Sequence, residues 1–445
     1  MPTLASVVAL VWLARTTSPA YYGRYQSFWV QWQVLHVVAC LGLPTLVLAS
    51  PPARLRGLAL ALRARAAVAG LAGWVLAVAG GFAGLQAWVG SPFAPWQAGA
   101  FLLLGVPVAV LEAGALVQRR FAALAWLSAT YAGVFGLSHA LLAGHWLASQ
   151  QLMNWLLMTN ALRLAALAYL ASPFAGAAPP APLDWPALRS FWAHTALNEL
   201  LQVLFKWVDK LVLNLLLPAA LFALYFNGTI DVPFLPLLLG AAGSSLLLHF
   251  GEPQRTDAQR LATLHAAAAL LGRLVFPLFF FLLFFRRELF GVVFAHRYDA
   301  AVPLFVVSLL VVPLRAYNFT ALLQHKGQGR TITTGAGLDL LLALALMYPL
   351  YRLLGLAGVA LAFVISTYCQ AGYYLGHAAR LLGVRWASLL PWRPWAGQVA
   401  GAALGLGLLH ALLAPRLPER AVLLAAASLL GLWLAGQVWH ARRAR

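Results

Sequence analysis

The feature that most constrains this chain is a succession of apolar runs, each about 20 residues long and nearly free of charge. A helix needs roughly 20 predominantly apolar residues to cross about 30 Å of hydrocarbon. A shorter run, Thr3 to Leu13, is interpreted as a first helix that is short or truncated at its start, which gives 14 predicted spans. The other 13 runs lie near 27–48, 66–89, 97–117, 121–144, 152–171, 191–217, 219–248, 260–285, 302–323, 331–354, 356–378, 395–414 and 421–439.

Composition supports an all-α polytopic membrane protein. Of the 445 residues, 62% are hydrophobic and 9% are charged, whereas soluble domains average about 25% charged residues. Cys40 and Cys369 both fall in apolar runs and cannot form a disulfide framework. Soluble enzymes, disordered tails and secreted disulfide scaffolds are therefore excluded.

The distribution of the basic residues predicts the topology. The chain has 30 Lys and Arg against 11 Asp and Glu, a formal net charge of +19. With the N-terminus inside, 17 of the basic residues fall in predicted cytoplasmic loops and the tail, and eight fall outside. Because cytoplasmic loops of membrane proteins carry an excess of Lys and Arg, we expect both termini to be cytoplasmic.

A proline-rich segment at 172–190, SPFAGAAPPAPLDWPALRS, divides the apolar runs. Its five prolines are incompatible with one continuous helix, which predicts a cytoplasmic linker. Spans 1–6 then form an N-lobe at 1–171, and spans 7–12 form a C-lobe at 191–378. A final helix pair with a basic tail occupies 395–445. Two equal halves of six spans are typical of internally repeated transporters.

Sequence motifs of nucleotide and metal sites are absent from the chain. It contains no GxxxxGK[ST], HExxH or CxxC, and its 11 histidines are scattered. No metal, cofactor or catalytic residue is predicted. The linker is the longest loop, so no segment is long enough for an external catalytic domain. These observations favour a transporter over an enzyme.

A small set of charged residues falls within or near the predicted spans. Each charge near the bilayer centre costs at least about 2.5–3.5 kcal/mol on insertion scales. Such residues should therefore face one another, in a structural network of ion pairs, or face a water-filled cavity; the sequence leaves both alternatives open. The cations are Arg163, Lys206, Lys210, Arg273 and Arg315, and the acids are Glu112, Glu199, Asp209 and Asp339.

The predicted seventh span concentrates these charges on one face. On a helical wheel Glu199, Lys206 and Lys210 fall within about 40° of one another. Lys206 and Asp209 are i,i+3 neighbours, which predicts an interaction between them. Two lysines on one face repel each other unless acids or an anionic ligand lie close by.

The remaining intramembrane charges have separate expected partners. Arg315 lies too deep in its span for a simple interfacial anchor, and Asp339 in the next span is a plausible partner. Arg163 and Arg273 have stems long enough to extend their charges to an interface. Glu112 lies seven residues before a cytoplasmic basic pair and is expected to behave in the same way.

Several short segments carry a family resemblance. They are Tyr22–Tyr25, Asp209 with Tyr225, Glu288–Ala300, and Gly355–Ser366 preceded by Asp339. With the six-plus-six-plus-two arrangement of spans, these segments resemble the oligosaccharide flippases of the MOP (MATE-like) exporter superfamily, of the polysaccharide-export or O-antigen type. The resemblance extends over essentially the whole chain, apart from the short first helix and the unusual predicted eighth span.

The resemblance implies a fold and an activity. It implies two six-helix lobes in a V, alternately open to either side of a bacterial cytoplasmic (inner) membrane, plus a C-terminal helix pair. It implies outward translocation of undecaprenyl-diphosphate-linked oligosaccharide for cell-surface polysaccharide and lipopolysaccharide biosynthesis. Coupling to H⁺, Na⁺ or the membrane potential is part of that picture. The implied partners are the anionic glycan lipid, the bilayer and other polysaccharide assembly proteins, without nucleic acid.

Within that picture the intramembrane charges acquire roles. Cations paired with phosphate oxygens make charge-assisted hydrogen bonds. The acids would hold those cations in the empty state or take part in ion coupling. The expected substrate-binding cations are Arg315, Lys206, Lys210, Arg273 and Arg163, and the expected acids are Glu199, Asp209, Asp339 and Glu112.

Other functions remain open as alternatives. A multidrug exporter of the same superfamily would favour a cavity with net negative charge, whereas five cations stand here against four or five acids. A membrane glycan polymerase, which is a different class of protein, would carry a large external loop. Other lipid transporters, including flippases of peptidoglycan precursors, are further alternatives.

Overall fold

A computed structural model describes residues 3–61, 65–171, 183–230, 232, 235–251 and 256–443. Within these ranges the chain is helical and contains no strand. It divides into two compact units, Met1–Ala223 and Leu224–Arg445. The fold is that of an all-α polytopic membrane protein, as the sequence predicts. The predicted lobes and their linker at 172–190 stay a prediction, and residues 172–182 of that linker lie outside the described ranges.

Among the described residues, nine helices lie within the first unit. They are α1 (Thr3–Thr16), α2 (Pro19–Cys40), α3 (Leu43–Leu48), α4 (Pro52–Ala61), α5 (Arg65–Val89), α6 (Pro95–Val117), α7 (Phe121–Ala143), α8 (Ser149–Ala171) and α9 (Trp185–Leu216).

A tenth helix, α10 (Ala219–Gly228), runs across the boundary, and the second unit holds the rest. They are α11 (Leu235–Phe250), α12 (Asp257–Phe284), α13 (Arg286–Phe294), α14 (Val302–Leu309), α15 (Ala321–His325), α16 (Gly329–Leu354), α17 (Leu356–Leu382), α18 (Trp392–Leu413) and α19 (Glu419–Arg443). Short 3₁₀ turns occupy Asp299–Ala301, Val312–Ala316 and Trp386–Leu389.

Helix length and hydropathy divide the helices into two groups. Among the described residues, eight helices are long and apolar enough to cross a membrane: α5, α6, α7, α12, α16, α17, α18 and α19. Helices α2, α8 and α9 reach 22 residues or more but carry more polar side chains. The most polar long helices therefore include α2 and α9, on which several of the predicted site residues lie.

Three of the predicted spans are not continuous helices. The run at 27–48 breaks where Leu41 and Gly42 take left-handed backbone angles (φ 48° and 69°). In the run at 219–248, α10 ends at Gly228 and Thr229 is in a turn, and the next described helix begins at Leu235. The run at 302–323 is divided into α14, a 3₁₀ turn and α15, because Pro313 lacks an N–H and restricts its neighbour. At such a break, backbone N–H and C=O groups are no longer paired within a helix and can bind other groups.

Helix α9 begins earlier than the prolines of the linker suggest. It starts at Trp185, with Pro186 in its first turn, where a missing N–H costs nothing. The Asp184 carboxylate accepts a hydrogen bond from the Ala187 N–H (3.1 Å), which caps the helix. The prolines therefore fix where α9 begins.

Helices α16 and α17 form a tight hairpin at the G-x-x-G segment noted in the sequence. Gly355 joins them with φ +60°, in the left-handed region. A Cβ added at Gly358 would overlap the carbonyl group of Leu350 on α16. The Tyr374 hydroxyl also donates to the Ile332 carbonyl (2.8 Å), which ties the far ends of the helices together. The two glycines therefore serve close helix packing.

Candidate functional site

In the first unit, α2 and α9 line an open cavity of about 380 Å³, here called the α2–α9 cavity. Residues one turn apart on each helix line it, so both helices present one face to the same space. The lining is mixed: aromatic rings, two side-chain amides, one carboxylate and one ammonium group. The lining residues are Trp32, Gln33, His36, Val37, Glu199, Gln202, Val203, Lys206 and Trp207.

Two of the aromatic rings that line this cavity, Trp32 and His36, pack against α6. The Trp32 and His36 rings stack with centroids 4.8 Å apart. A Cβ added at Gly105 on α6 would lie 3.1 Å from the His36 ring, so the glycine allows the imidazole to lie against α6. Trp32 also contacts Phe101 (centroids 5.4 Å apart). The ring positions are therefore set by α6 as well as by α2.

The basic residues of α9 gather around one indole ring. The Lys206 and Lys210 Nζ atoms lie 5.2 Å and 5.6 Å from the centroid of the Trp207 ring, within cation–π range. Lys210 Nζ also lies 3.4 Å from the Asp209 carboxylate. Asp209 thus forms an ion pair with Lys210, and the interaction expected between Asp209 and Lys206 stays a prediction. Lys206 lines the cavity together with Glu199.

A buried amide network lies deeper between α2, α5 and α9. Gln31 donates to the Asn214 carbonyl oxygen (3.0 Å) and accepts from the amide of Gln86. Tyr25 and His139 form a second buried hydrogen bond (2.5 Å). Because unpaired buried polar groups are costly, these partners fix the register of the helices. The sequence analysis did not find them, since partners so distant in sequence leave no local pattern.

Arg163 and Glu112 form an ion pair between α8 and α6. The Arg163 guanidinium also lies over the Tyr131 ring, 5.0 Å from its centroid. Their side chains are 16% and 28% exposed. Each charge therefore has its countercharge within the unit, and the expectation that these side chains extend to an interface stays a prediction.

In the second unit, a cavity of about 240 Å³ surrounds the break between α14 and α15; we call it the Arg315 cavity. Arg315 is the only charged residue of its lining. Asn318 accepts hydrogen bonds from the Thr320 N–H (3.2 Å) and the Ala321 N–H (2.9 Å), which caps the short helix α15. The other lining residues are Leu239, Leu271, Leu314, Tyr317, Phe319, Thr367, Gln370, Ala371 and Tyr374.

Asp339 lies in the α16–α17 hairpin, one turn from Gly335, whose carbonyl accepts from the Gln370 amide. It is 1% exposed, and neither carboxylate oxygen has a hydrogen-bond partner among the described residues. The Ser366 hydroxyl across the hairpin donates to the Phe363 carbonyl (3.1 Å) and lies close enough to interact with this carboxylate. Asp339 interacts electrostatically with Arg315, but the expected ion pair does not form within the described structure.

Arg273 stands apart from both cavities. It is an exposed residue of α12 and is not part of the lining of either one. The predicted charges therefore form four groups: Glu199 with Lys206, Lys210 with Asp209, Arg163 with Glu112, and Arg315 near Asp339. Among the described residues, no group of three or more His, Cys, Asp or Glu side chains is placed to hold a metal ion.

The sequence analysis missed the aromatic residues of the α2–α9 cavity. Trp32 and His36 are i,i+4 neighbours, as are Val203 and Trp207, and this spacing places each pair on one helix face. The signal was therefore present in the sequence. It could not be separated from ordinary packing residues without knowing that α2 and α9 face each other.

Comparison with solved structures shows which fold the chain has. It is similar over 100% of its length to 98% of a chain described as "Lipid II flippase MurJ, inward closed conformation" (TM-score 0.67, 12% identity). It is also similar over 86% of its length to 95% of an inward-facing multidrug resistance MATE family transporter of the MOP superfamily (TM-score 0.54, 14% identity). At these identities the likeness shows a shared fold. Comparisons with protein-family profiles and with curated proteins gave no match.

Proposed function

We propose that this chain is a flippase that moves a lipid-diphosphate-linked oligosaccharide from the cytoplasmic to the outer leaflet by alternating access. The fold, shared with a lipid flippase and a multidrug transporter, supports translocation as the class of activity. The proposal of a diphosphate-containing substrate rests on the Arg315 cavity. The lipid is of the undecaprenyl type, and its glycan serves cell-surface polysaccharide synthesis in a bacterial inner membrane.

The chemistry of the Arg315 cavity fits a phosphate group. A single exposed guanidinium projects from a broken helix, so the cavity has a net positive charge. Arginine presents planar donors that match phosphate oxygens, and the Gln370 amide, which gives one N–H to the Gly335 carbonyl, has a second N–H to offer. Discontinuous helices are where transporters commonly hold charged substrates and ions.

The other charges take supporting roles in this proposal. Lys206, Lys210 and Arg163 already have an aromatic ring, a carboxylate or both as neighbours, so they hold a substrate anion less readily than Arg315 does. Asp339, buried and without a hydrogen-bond partner in the described chain, is the residue best suited to bind a proton or Na⁺ during coupling. No covalent step on the substrate is involved.

The test is leaflet transfer in proteoliposomes. A fluorescent short-chain polyprenyl-diphosphate oligosaccharide is placed in the inner leaflet, and its arrival outside is read with an impermeant quencher. We expect transfer by the wild-type protein, a fall of at least tenfold for Arg315→Gln, and partial recovery for Arg315→Lys. Arg330→Gln is the matched control, because Arg330 is an exposed cation of the same unit outside the cavity lining.

Three outcomes would contradict the proposal. One is equal transfer by the wild-type and Arg315→Gln proteins at matched protein levels. Another is covalent extension of the glycan without a change of leaflet, which would indicate a polymerase. The third is transport of an organic cation such as ethidium without glycan-lipid transfer, which would indicate a multidrug exporter. A parallel substrate with a peptidoglycan-precursor headgroup distinguishes the two kinds of lipid-linked glycan.

A further inference from the structure

The α2–α9 cavity differs in charge from the Arg315 cavity. Its lining contains one carboxylate, Glu199, and one ammonium group, Lys206, so the two formal charges cancel. A cavity without net charge attracts neither a diphosphate nor a cation strongly. Its occupant is therefore expected to be a neutral polar group.

The aromatic residues exclude one common class of occupant. Trp207 would be the natural partner of an organic cation, but the Lys206 and Lys210 ammonium groups already lie within 5.6 Å of its ring centroid. A third cation placed there would be repelled by both lysines. The cavity thus disfavours the cationic drugs that a multidrug exporter would carry.

The remaining lining chemistry suits hydroxyl groups on a compact ring. The amides of Gln33 and Gln202 each offer donors and an acceptor, the carboxylate offers acceptors, and the ammonium group offers donors. Trp32 and His36 supply apolar ring surface for the C–H faces of a sugar. The volume, near the lower end of the range for ligand pockets of about 300–1,000 Å³, suits roughly one or two sugar rings.

We infer that the α2–α9 cavity is a saccharide subsite, in which Gln33, Gln202, Glu199 and Lys206 bind sugar hydroxyls against the rings of Trp32 and His36. This inference rests on the proposed function, since it assigns the neutral glycan of the substrate to a place in the first unit. It adds side-chain amides and aromatic rings to the residues that recognise substrate.

The experiment measures saccharide binding without a lipid or a diphosphate. The full chain in lipid nanodiscs is titrated with the methyl glycosides of glucose, galactose and N-acetylglucosamine, and binding is read by saturation-transfer difference NMR. Tetraethylammonium and pyrophosphate are titrated in parallel. The variants are Gln202→Leu and Glu199→Gln, and the control is Asn198→Leu, an exposed residue of the same helix outside the lining.

We expect at least one glycoside to bind at millimolar concentration. Its affinity should fall at least tenfold in Gln202→Leu and Glu199→Gln, and should stay unchanged in Asn198→Leu. Absence of glycoside binding, equal binding by all variants, or a response of these variants to tetraethylammonium or pyrophosphate alone would overturn the inference.

Failure of this inference is distinguishable from failure of the proposed function. The same preparations are used for leaflet transfer of the glycan lipid. Transfer of the glycan lipid without glycoside binding would support the proposed flippase activity and reject the saccharide subsite. Glycoside binding at the cavity without transfer would support the subsite and reject the flippase.

Discussion

Asp339 is a buried acid that interacts with the Ser366 hydroxyl and the Arg315 guanidinium. A carboxylate that is 1% exposed and has no hydrogen-bond partner in the described chain is costly to keep ionised. Binding a proton or a monovalent cation would remove that cost. The residue is therefore placed to exchange an ion as the protein changes state.

Replacing Asp339 with Asn keeps its size and removes its ability to ionise. We expect the Asp339→Asn protein to fold but to lose at least tenfold of the transport stimulation that an imposed H⁺ or Na⁺ gradient gives. The measurement is glycan-lipid transfer in proteoliposomes with and without the gradient.

The matched control for this variant is Asp257→Asn. Asp257 already pairs with Lys326 (2.8 Å) and Arg260 (2.8 Å) and is 43% exposed. This variant should keep its response to the gradient. A full response by Asp339→Asn would show that coupling does not use this carboxylate.

The sequence shows which charges fall within or near apolar runs, but it does not show their partners. Glu112 and Arg163 are 51 positions apart, and only the packing of α6 against α8 brings them together. In an ion pair that is shielded from water, each charge stabilises the other. Removing one partner then lowers the stability of the protein by about 3–5 kcal/mol. Wheel positions on one helix carry no information of that kind.

In the α16–α17 hairpin, Gly358 allows the backbone of α17 to approach the backbone of α16 closely. Gly358→Ala would place a methyl group on the Leu350 carbonyl, and the rigid backbone of α16 cannot move away as a side chain could. We expect a loss of stability of about 1–3 kcal/mol, as for overpacked cores. Thermal unfolding in detergent is the measurement.

A second glycine on the same helix provides the control. A Cβ added at Gly372 meets nothing within 4 Å. Gly372→Ala should therefore be neutral or stabilising by about 0.5–1 kcal/mol, since alanine favours helix. If both variants unfold at the wild-type temperature, the packing of Gly358 is not as tight as the structure shows.

Broken helices were the least predictable elements of the fold. The run at 302–323 is apolar on both sides of Pro313, so hydropathy alone describes it as one span. Proline indicates where a helix can break, but tertiary packing decides whether the break becomes a kink or a change of element. Here it becomes a 3₁₀ turn with Arg315 at its end.

The predicted topology agrees with the contacts within the second unit. Lys326 Nζ lies 2.8 Å from the Asp257 carboxylate, and both belong to the side predicted as cytoplasmic. His296 Nε2 lies 3.0 Å from the Glu419 carboxylate, and both belong to the side predicted as external. Both ion pairs thus join residues that the positive-inside rule assigns to the same side of the membrane.

Cysteine labelling tests this topology for the whole chain. In a background of Cys40→Ala and Cys369→Ser, we place Ser388→Cys in a predicted cytoplasmic loop and Ala300→Cys in a predicted external one; both are exposed. An impermeant maleimide applied to intact cells should label Ala300→Cys at least tenfold more than Ser388→Cys. The reverse pattern would invert the topology, and permeabilised cells should label both.

The sequence predicts the all-α membrane fold and the general placement of the charged residues. Apolar runs and basic loops can be recognised in the sequence because they reflect the free-energy cost of moving a side chain or a backbone group into hydrocarbon. The α2–α9 and Arg315 cavities depend on which helix faces meet, and this depends on contacts between distant parts of the chain. The lining residues Trp32 and His36 therefore emerge only from the structure.

The tightness of the α16–α17 hairpin has a consequence for the biogenesis of the protein. Its internal contacts join neighbouring helices, such as the Tyr374 hydroxyl to Ile332 (2.8 Å) and the Gln370 amide to Gly335 (3.3 Å). Contacts between residues close along the chain have a low loop-closure cost and form early. This pair can therefore leave the translocon as one prefolded insertion unit, before α18 and α19 have been synthesised.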